Sequence, residues 1–241
     1  MDNYPTLKRH LDRFANVITS DNKPYGLHRT REERFFKGEK IIVQRKCVEE
    51  PSFSYSNFDC YVSATFYVIK TNRFNHKYLV GLLNSKLIAF WLKNKGKMQG
   101  NNFQIDKEPL LQIPIIDITR ELQQPIISLV DYILYLKSAN NPPVSDIVNN
   151  EIIAPHFEKV IDACVYELYF EDEIKSAQVD VLELISKSLN KVSSLPIEQQ
   201  ILHLFEELND YRNEVRNRII LQKTRSESVA QIVASHDISK K

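Results

Sequence analysis

A carboxylate followed at a distance by a Glu-x-Lys triplet is the arrangement of a metal-dependent nuclease site, and the sequence contains these letters in Asp162, Glu173 and Lys175. In such a site two carboxylates hold a metal ion and the lysine supports the attacking water. Here the residues lie in or after a predicted amphipathic helix, without the adjacent strand that would aim them at one ion. We therefore favour a charged solvent face, and a complete small enzyme that uses this group remains an alternative.

The histidines, cysteines and glycines lack the spacings of the common metal and phosphate sites. The six histidines include no HxxxH pair and no Cys/His ligand pattern. The five glycines form no phosphate-binding loop, and the three cysteines include neither a CxxC pair nor a disulfide framework, so we expect reduced thiols. The histidines are His10, His28, His76, His156, His203 and His236, and the cysteines are Cys47, Cys60 and Cys164.

The net charge of +1 conceals an uneven distribution of charge along the chain. Residues 1–110 hold 19 Lys and Arg against 11 Asp and Glu, which is +8, whereas residues 111–241 hold 13 against 20, which is −7. A basic surface suits a polyanion, because each neutralised phosphate releases condensed counterions and adds affinity. We therefore expect the first part of the chain to contact nucleic acid.

Basic and amide side chains in predicted loops are the candidates for contact with duplex DNA. Arg and Lys donate to guanine in the major groove, and Asn and Gln pair bidentately with adenine. We predict phosphate contacts for Lys93, Lys95 and Lys97, which run off the end of a helix. We predict base reading among Arg45, Lys46, Gln99, Asn101 and Asn102, and the other candidate DNA-binding residues are Arg29, Arg31, Arg34 and Gln44.

The elements that must position these residues predict an α+β fold with a small mixed β-sheet and flanking helices. Period-two runs of β-branched and aromatic residues indicate strands, and apolar residues at helical spacing indicate amphipathic helices. Glycine-containing polar stretches indicate loops. The predicted elements are a helix over 7–18, strands over 40–47 and 61–69 joined by a loop at 51–57, a buried helix over 76–95, and an exposed loop over 96–109.

Beyond residue 117 the periodicity predicts helices alone, so we place a domain boundary there, between a recognition domain of residues 1–116 and a helical domain of residues 117–241. The last helix is predicted to be long, with apolar residues alternating at spacings of four and three, as in a coiled coil. Packing within the chain is favoured over self-association. The predicted helices cover 121–138, 151–169, 178–191 and 196–220, and the seam consists of Ile197, Ile201, Leu204, Leu208, Tyr211 and Val215.

Short motifs recur in a particular order along residues 4–116. They are Tyr4-Pro5-Thr6-Leu7, an Arg-rich stretch at 29–34, Lys40-Ile41-Ile42, Leu82-Leu83-Asn84-Ser85-Lys86-Leu87, a glycine-bearing loop, and Leu111-Gln112-Ile113-Pro114-Ile115. In this order they resemble the TaqI-like carboxy-terminal specificity domain of adenine-methylating restriction-modification enzymes. The later segment Ile161–Tyr169 is similar to the helical extension often found after that domain.

The resemblance implies a bacterial target-recognition domain that docks on duplex DNA beside a methyltransferase domain, which flips the adenine out for methylation. The catalytic domain, and with it any nuclease domain, would precede residue 1 in the same polypeptide. S-adenosylmethionine and, where cleavage occurs, Mg²⁺ would belong to those parts, and no cofactor is expected in this chain. The isolated chain is therefore expected to be catalytically silent.

Asn141-Pro142-Pro143-Val144 is similar to the Asn-Pro-Pro-aromatic motif with which amino-methyltransferases of this class grip the flipped base. There an aromatic ring stacks on the base, which Val144 cannot do. The segment also connects two predicted helices rather than ending a buried strand. We therefore interpret it as a helix breaker.

A protein-interaction scaffold is a further alternative, in which the acidic helices bind a partner subunit and the basic half is incidental. Self-association through the seam would be one form of it. The sequence contains no run of about 18 apolar residues and its first residues do not have the pattern of a signal peptide. We therefore expect a cytoplasmic protein without a membrane partner.

Overall fold

The fold comes from a computed structural model that describes residues 1–16, 31–48, 50–95, 97–99 and 102–238. Helices predominate, two small antiparallel sheets lie in the first half, and the α+β class expected from the sequence is confirmed. None of the described helices combines the length and the apolar character that crossing a membrane requires.

The first sheet has strand order β3-β1-β4, with the central strand paired antiparallel on both sides. One face of this sheet packs on the core. Ile41 and Val43 on the central strand are buried, and so is Phe53 beside them. Lys40 is the first residue of the central strand, and its side chain is fully buried. Its ammonium group donates to the carbonyl oxygens of Gly38 and Phe58. The strands are β1 (Lys40–Gln44), β3 (Phe53–Ser56) and β4 (Phe66–Ile69).

The prediction of a loop over 51–57 is wrong, because Phe53–Ser56 pairs with the central strand. The prediction of a strand over 61–69 is correct only for its last four residues. A strand of four residues shows too few alternations to be distinguished from a polar loop, so pairing across the sheet decides it.

The segment predicted as one helix over 76–95 forms two, α2 (His76–Leu83), which packs on the first sheet, and α3 (Lys86–Lys95). The break falls at Asn84, whose side-chain oxygen accepts the backbone N–H of Phe53 at 2.8 Å while its amide nitrogen donates to the Phe53 carbonyl at 2.8 Å. The hydroxyl of Ser85 accepts the N–H of Ile88 and so caps α3. The helix is therefore interrupted so that Asn84 can hold the edge strand of the sheet.

The second sheet has strand order β2-β6-β5, again antiparallel. The prediction of an exposed loop over 96–109 is wrong, because this segment contributes two of the three strands and a short helix, α4 (Lys107–Leu111). The strands of this sheet are β2 (Lys46–Val48), β5 (Lys97–Gln99) and β6 (Asn102–Gln104).

The helical half begins with the antiparallel pair α5 and α6, as the periodicity predicts. The predicted long helix over 196–220 is wrong, because the chain breaks at Asp210–Asn213 into two helices. Tyr211, an expected seam residue, is 70% exposed in that turn, and the Asn213 side chain caps the second helix. The remaining helices are α1 (Pro5–Asp12), α5 (Arg120–Lys137), α6 (Asn150–Tyr169), α7 (Glu171–Ser176), α8 (Leu182–Val192), α9 (Ile197–Asn209), α10 (Glu214–Arg225) and α11 (Glu227–Ile238).

One apolar core runs through both halves, from Ile41 on the first sheet to Ile232 on α11. Helix α2 lies against α5 at Gly81, where a side-chain β-carbon would come 2.5 Å from the Cγ2 atom of Ile126. The hydroxyl of Tyr78 donates to the carbonyl of Ile116 at 3.0 Å, which holds the chain just before the predicted boundary against α2. The division at 117 stays a prediction, and the core itself is continuous across it.

Candidate nucleic-acid interface

Arg45 lies between the strands β1 and β2, and its backbone links the two sheets. Its N–H donates to the carbonyl of Thr65, at the start of β4, and its carbonyl accepts the N–H of Ile105, just after β6; both distances are 2.9 Å. Because these bonds lie on either side of one residue, the position of the second sheet relative to the first is set at Arg45.

The Arg45 guanidinium stacks on Tyr67, with its central carbon 5.0 Å from the ring centroid. Its Nε atom is buried without a hydrogen-bond partner, and no acceptor for this guanidinium occurs among the residues that the structure describes. A planar guanidinium held over an aromatic face keeps its fork of donors in a fixed orientation. Arg45 is therefore a cation at the junction of the two sheets, and the described ranges contain no counter-ion for it.

Strand pairing in the second sheet aligns several of the predicted contact residues. The Cα atoms of Lys46, Gln104 and Lys97 share one row across the three strands, and the row two residues further on contains Val48, Asn102 and Gln99. Lys46 is exposed, and Val48 is 67% exposed on the same strand. Cys47 between them packs against the core, so Lys46 and Val48 lie on the solvent side of β2.

The other predicted lysines lead into this sheet from helix α3. Lys95 is exposed at the end of the helix, two residues before the start of β5. Lys93 is partly covered, and its ammonium group lies 3.5 Å from the carbonyl of Ser235 on α11. Lys46, Lys95 and Lys97 therefore lie in one part of the fold, at the second sheet.

Arg31 and Arg34 lie elsewhere. Both are exposed before the start of β1, and the Arg34 guanidinium pairs with Glu32 at 2.7 Å. The Arg34 carbonyl accepts the ammonium group of Lys70, directly after β4. These two arginines therefore lie at the end of the first sheet opposite to Arg45, whereas Gln44, exposed at the end of β1, lies beside it. Arg29 and Asn101 are outside the described residues.

Sequence reasoning missed Gln104 and Tyr67. Gln104 shares its row with the two lysines and donates from its amide to Asp106 at 2.9 Å. The sequence predicts Tyr67 only as a strand residue, although its ring lies against the Arg45 guanidinium. A period-two pattern over 102–104 is the signal that was available, but it covers too few residues to be distinctive.

A link behind the second sheet connects it to the helical half. Both ring nitrogens of His236 on α11 face acceptors: Nδ1 lies 2.7 Å from a carboxylate oxygen of Glu50, just after β2, and Nε2 lies 3.0 Å from the carbonyl of Lys86. Only the imidazolium donates from both nitrogens. The hydrogen bond with Glu50 therefore raises the pKa of His236, against the lowering effect of burial.

The nuclease hypothesis is not supported by the placement of its residues. The Asp162 carboxylate accepts the N–H of Lys86 at 2.8 Å, Glu173 accepts the hydroxyl of Ser226 at 2.8 Å, and Lys175 pairs with Glu171. Each group thus has a separate local partner. Within the described ranges, no three His, Cys, Asp or Glu side chains are grouped to hold a metal ion.

The Asn-Pro-Pro segment joins α5 to α6, as expected of a helix breaker. The Asn141 amide donates to the carbonyl of Tyr135 at 3.0 Å, in the last turn of α5, and Val144 is buried. The Asn141 side chain therefore terminates a helix.

Comparison with known proteins bears on the same part of the chain. Residues 7–115 match the family described as the TaqI-like C-terminal specificity domain. Over 233 residues the chain is 24% identical to a putative type II restriction enzyme and methyltransferase of Methanocaldococcus jannaschii, an alignment that covers 89% of this chain. It covers 19% of that relative, so the chain spans about a fifth of the length of the curated protein it matches.

Proposed function

We propose, from the TaqI-like specificity domain formed by residues 7–115, that this chain recognises a base sequence in duplex DNA on behalf of a restriction-modification protein. The matched relative is named as a restriction enzyme and methyltransferase, and it is about five times as long as the aligned part. Recognition and chemistry are then divided between different parts of one polypeptide.

The observation that carries this proposal is the second sheet with Arg45 at its base. The major groove of B-DNA is about 12 Å wide and admits a two-stranded ribbon. The hairpin of β5 and β6 is such a ribbon, and its solvent side continues onto the exposed Lys46 of β2. Lysines along this sheet suit phosphates, and amides in the same rows suit adenine edges.

Arg45 is the residue that we assign to base reading first. Its guanidinium has no acceptor in the described part of the protein, and its central carbon lies 5.0 Å from the centroid of the Tyr67 ring. Such a fork matches the O6 and N7 acceptors of guanine, which gives about 1–3 kcal/mol of discrimination against the wrong base. We assign Lys93, Lys95 and Lys97 to phosphate contacts. The further residues assigned to base reading are Lys46, Gln99, Asn101 and Asn102.

The chemistry belongs to other parts of the polypeptide in this proposal. A methyltransferase domain binds S-adenosylmethionine and flips an adenine, and a nuclease domain, where the parent protein cleaves DNA, uses Mg²⁺. The chain works in the cytoplasm, where it meets cellular DNA. Incubated alone with duplex DNA and S-adenosylmethionine, it should transfer no methyl groups.

Selection from a random duplex pool tests the proposal. The chain is bound to the pool at about 50 and 200 mM salt and the retained DNA is sequenced, because phosphate contacts alone give salt dependence without sequence enrichment. We expect an enriched motif that is lost in the Asn101→Ala/Asn102→Ala variant. Lys187→Ala is the matched control, since Lys187 is exposed on α8 and paired with Glu183.

The alternative outcomes have separate meanings. Salt-sensitive retention without enrichment would reduce the function to general DNA binding. An absence of retention at both salt concentrations would overturn the proposal and favour the scaffold alternative, in which the acidic helices bind a partner subunit.

A further inference from the structure

Tyr166 on α6 has a buried hydroxyl without a hydrogen-bond partner. The side chain is 4% exposed, and its oxygen makes no bond in the part of the chain that the structure describes. Buried hydroxyl groups in folded proteins almost always find a partner, because leaving one unsatisfied costs its full desolvation. The Tyr166 hydroxyl is therefore a buried donor that can serve an acceptor from outside the described chain.

This hydroxyl belongs to a small pocket where α3, α6, α10 and α11 meet. The pocket has a volume of about 20 Å³, which is room for a single oxygen-sized atom. Three lysines line it, one from each of three helices. The lining residues are Lys86, Lys159, Asp162, Ala163, Tyr166, Ile219, Gln222, Lys223 and Val233.

The other buried polar groups of the pocket are already engaged. The Asp162 carboxylate accepts the N–H of Lys86 at 2.8 Å. The Gln222 amide nitrogen donates to the carbonyl of Val179 at 2.9 Å. What the pocket still offers is the Tyr166 hydroxyl as a donor. Its lining includes three lysines against the single carboxylate of Asp162, so the net positive charge favours an anionic oxygen.

The lysines of the pocket differ from most other basic residues of the helical half. Lys137, Lys175 and Lys187 each pair with a glutamate. Lys159 and Lys223 are exposed and make no hydrogen bond or ion pair among the described residues. In a half with net charge −7, two unpaired lysines beside an unsatisfied hydroxyl form a local anion site.

We infer that this pocket, named here the α6 pocket, takes one oxygen of a phosphate group from the backbone of the bound DNA. The inference rests on the proposed function and extends the DNA contact from the second sheet to the helical half. The Tyr166 hydroxyl donates to the phosphate oxygen, and Lys86, Lys159 and Lys223 compensate its charge.

Helix α3 connects the α6 pocket to the second sheet. Lys86 lies at its first turn and Lys93 seven residues later, so both lie on the same face about 10 Å apart along the helix axis. Measured along the duplex axis, that separation equals about three nucleotides of one strand of B-DNA, at roughly 3.4 Å each. Lys97 follows at the start of β5. In this inference the duplex on the second sheet runs along α3, which brings one of its phosphates to the pocket.

Salt-dependent DNA binding separates this site from the second sheet. The full chain is titrated with its enriched duplex at several salt concentrations, as the parent, as Lys159→Ala/Lys223→Ala and as Tyr166→Phe. The double variant should lose affinity about tenfold and reduce the slope of log K against log salt by about one, the value for one phosphate contact. Tyr166→Phe should lose about threefold. Both variants should enrich the same DNA motif as the parent, and Lys187→Ala is the control for loss of one exposed lysine.

Unchanged affinity and slope in both variants would overturn the inference, and Tyr166 would then be satisfied by a water molecule. Inorganic phosphate is the probe that does not depend on DNA recognition. If the parent retains no DNA, a thermal shift by millimolar phosphate that Tyr166→Phe abolishes would still support the oxyanion site, with free phosphate as its source. No shift in that case would overturn the site itself, separately from the failure of the proposed function.

Discussion

The two sheets are built from neighbouring strands of one chain, yet they are embedded in opposite ways. In the first sheet Ile41 and Val43 are buried at 0% and 1% exposure, and α2 packs over them. In the second sheet Lys46 is exposed and Val48 is 67% exposed. The change occurs at Arg45. The difference shows that the first sheet belongs to the core, while the first strand of the second sheet leaves side chains exposed to solvent.

The largest expected effect is on the stability contributed by the first sheet. Ile41→Ala removes a fully buried side chain from its central strand and should lower the free energy of unfolding by about 2–5 kcal/mol. Urea denaturation measures this loss. Lys46→Ala in the second sheet is the comparison, and it should stay within about 0.5 kcal/mol of the parent. Equal losses in the two variants would contradict the division between the sheets.

Arg45 should contribute mainly to DNA recognition. Arg45→Ala should weaken binding to the enriched duplex by about 1–3 kcal/mol, because the guanidinium fork over Tyr67 is lost. Arg45→Lys keeps the charge without the fork, so it should retain the salt dependence and relax the sequence preference. Fluorescence anisotropy with preferred and scrambled duplexes measures both effects. A lysine variant with unchanged preference would remove Arg45 from base reading.

Gly81 tests how tightly the helix that covers the first sheet packs against the helical half. A β-carbon there would lie 2.5 Å from the Cγ2 atom of Ile126. Gly81→Ala should therefore overpack the contact and lower the free energy of unfolding by about 1–3 kcal/mol. The higher helix propensity of alanine offsets about 1 kcal/mol of this cost. Thermal denaturation should show a net loss of stability, and adding Ile126→Leu, which removes the γ2 methyl, should reduce it. A stabilised Gly81→Ala variant would show that the two helices can separate easily.

The smallest expected effect is the pH dependence of the link between the second sheet and α11. The hydrogen bond with Glu50 raises the pKa of His236, so the stability from this pair is fully present below the ordinary histidine pKa and is lost as pH rises through the raised value. Glu50→Gln should cost about 1 kcal/mol or less at pH 5.5, because Glu50 is partly exposed. At pH 8.5 it should cost less, because less of the imidazole is protonated there. Denaturation curves at the two pH values measure this, and an equal cost at both would show that His236 does not change its charge between them.

The sequence predicts most of the residue types of the candidate site. It predicts little of how those residues are arranged in space. The basic first half and the lysine and amide content around 93–102 follow from composition alone. The rows that align Lys46 with Gln104 and Lys97 require pairing between strands of three residues, which leave no periodic signal. The predicted grouping also included Arg31 and Arg34, which lie at the other end of the first sheet.

The sequence by itself determined the elements whose pattern is long enough to report burial on one face. Helices α5 and α6 lie almost where the periodicity places them. Apolar residues at helical spacing over about five turns fit an amphipathic helix and few other structures. The charge asymmetry and the ordered motifs over 4–116 were equally visible, and the family match over 7–115 agrees with them.

Only the tertiary structure decided the features that depend on partners distant in the chain. Asn84 breaks a continuous helical pattern because its amide is required by the backbone of Phe53. The lysines of the α6 pocket come from separate helices, and only the packing of those helices makes them line one pocket with Tyr166. Local spacing records which face of an element is buried, whereas hydrogen bonds and charges between elements depend on how those faces pack together.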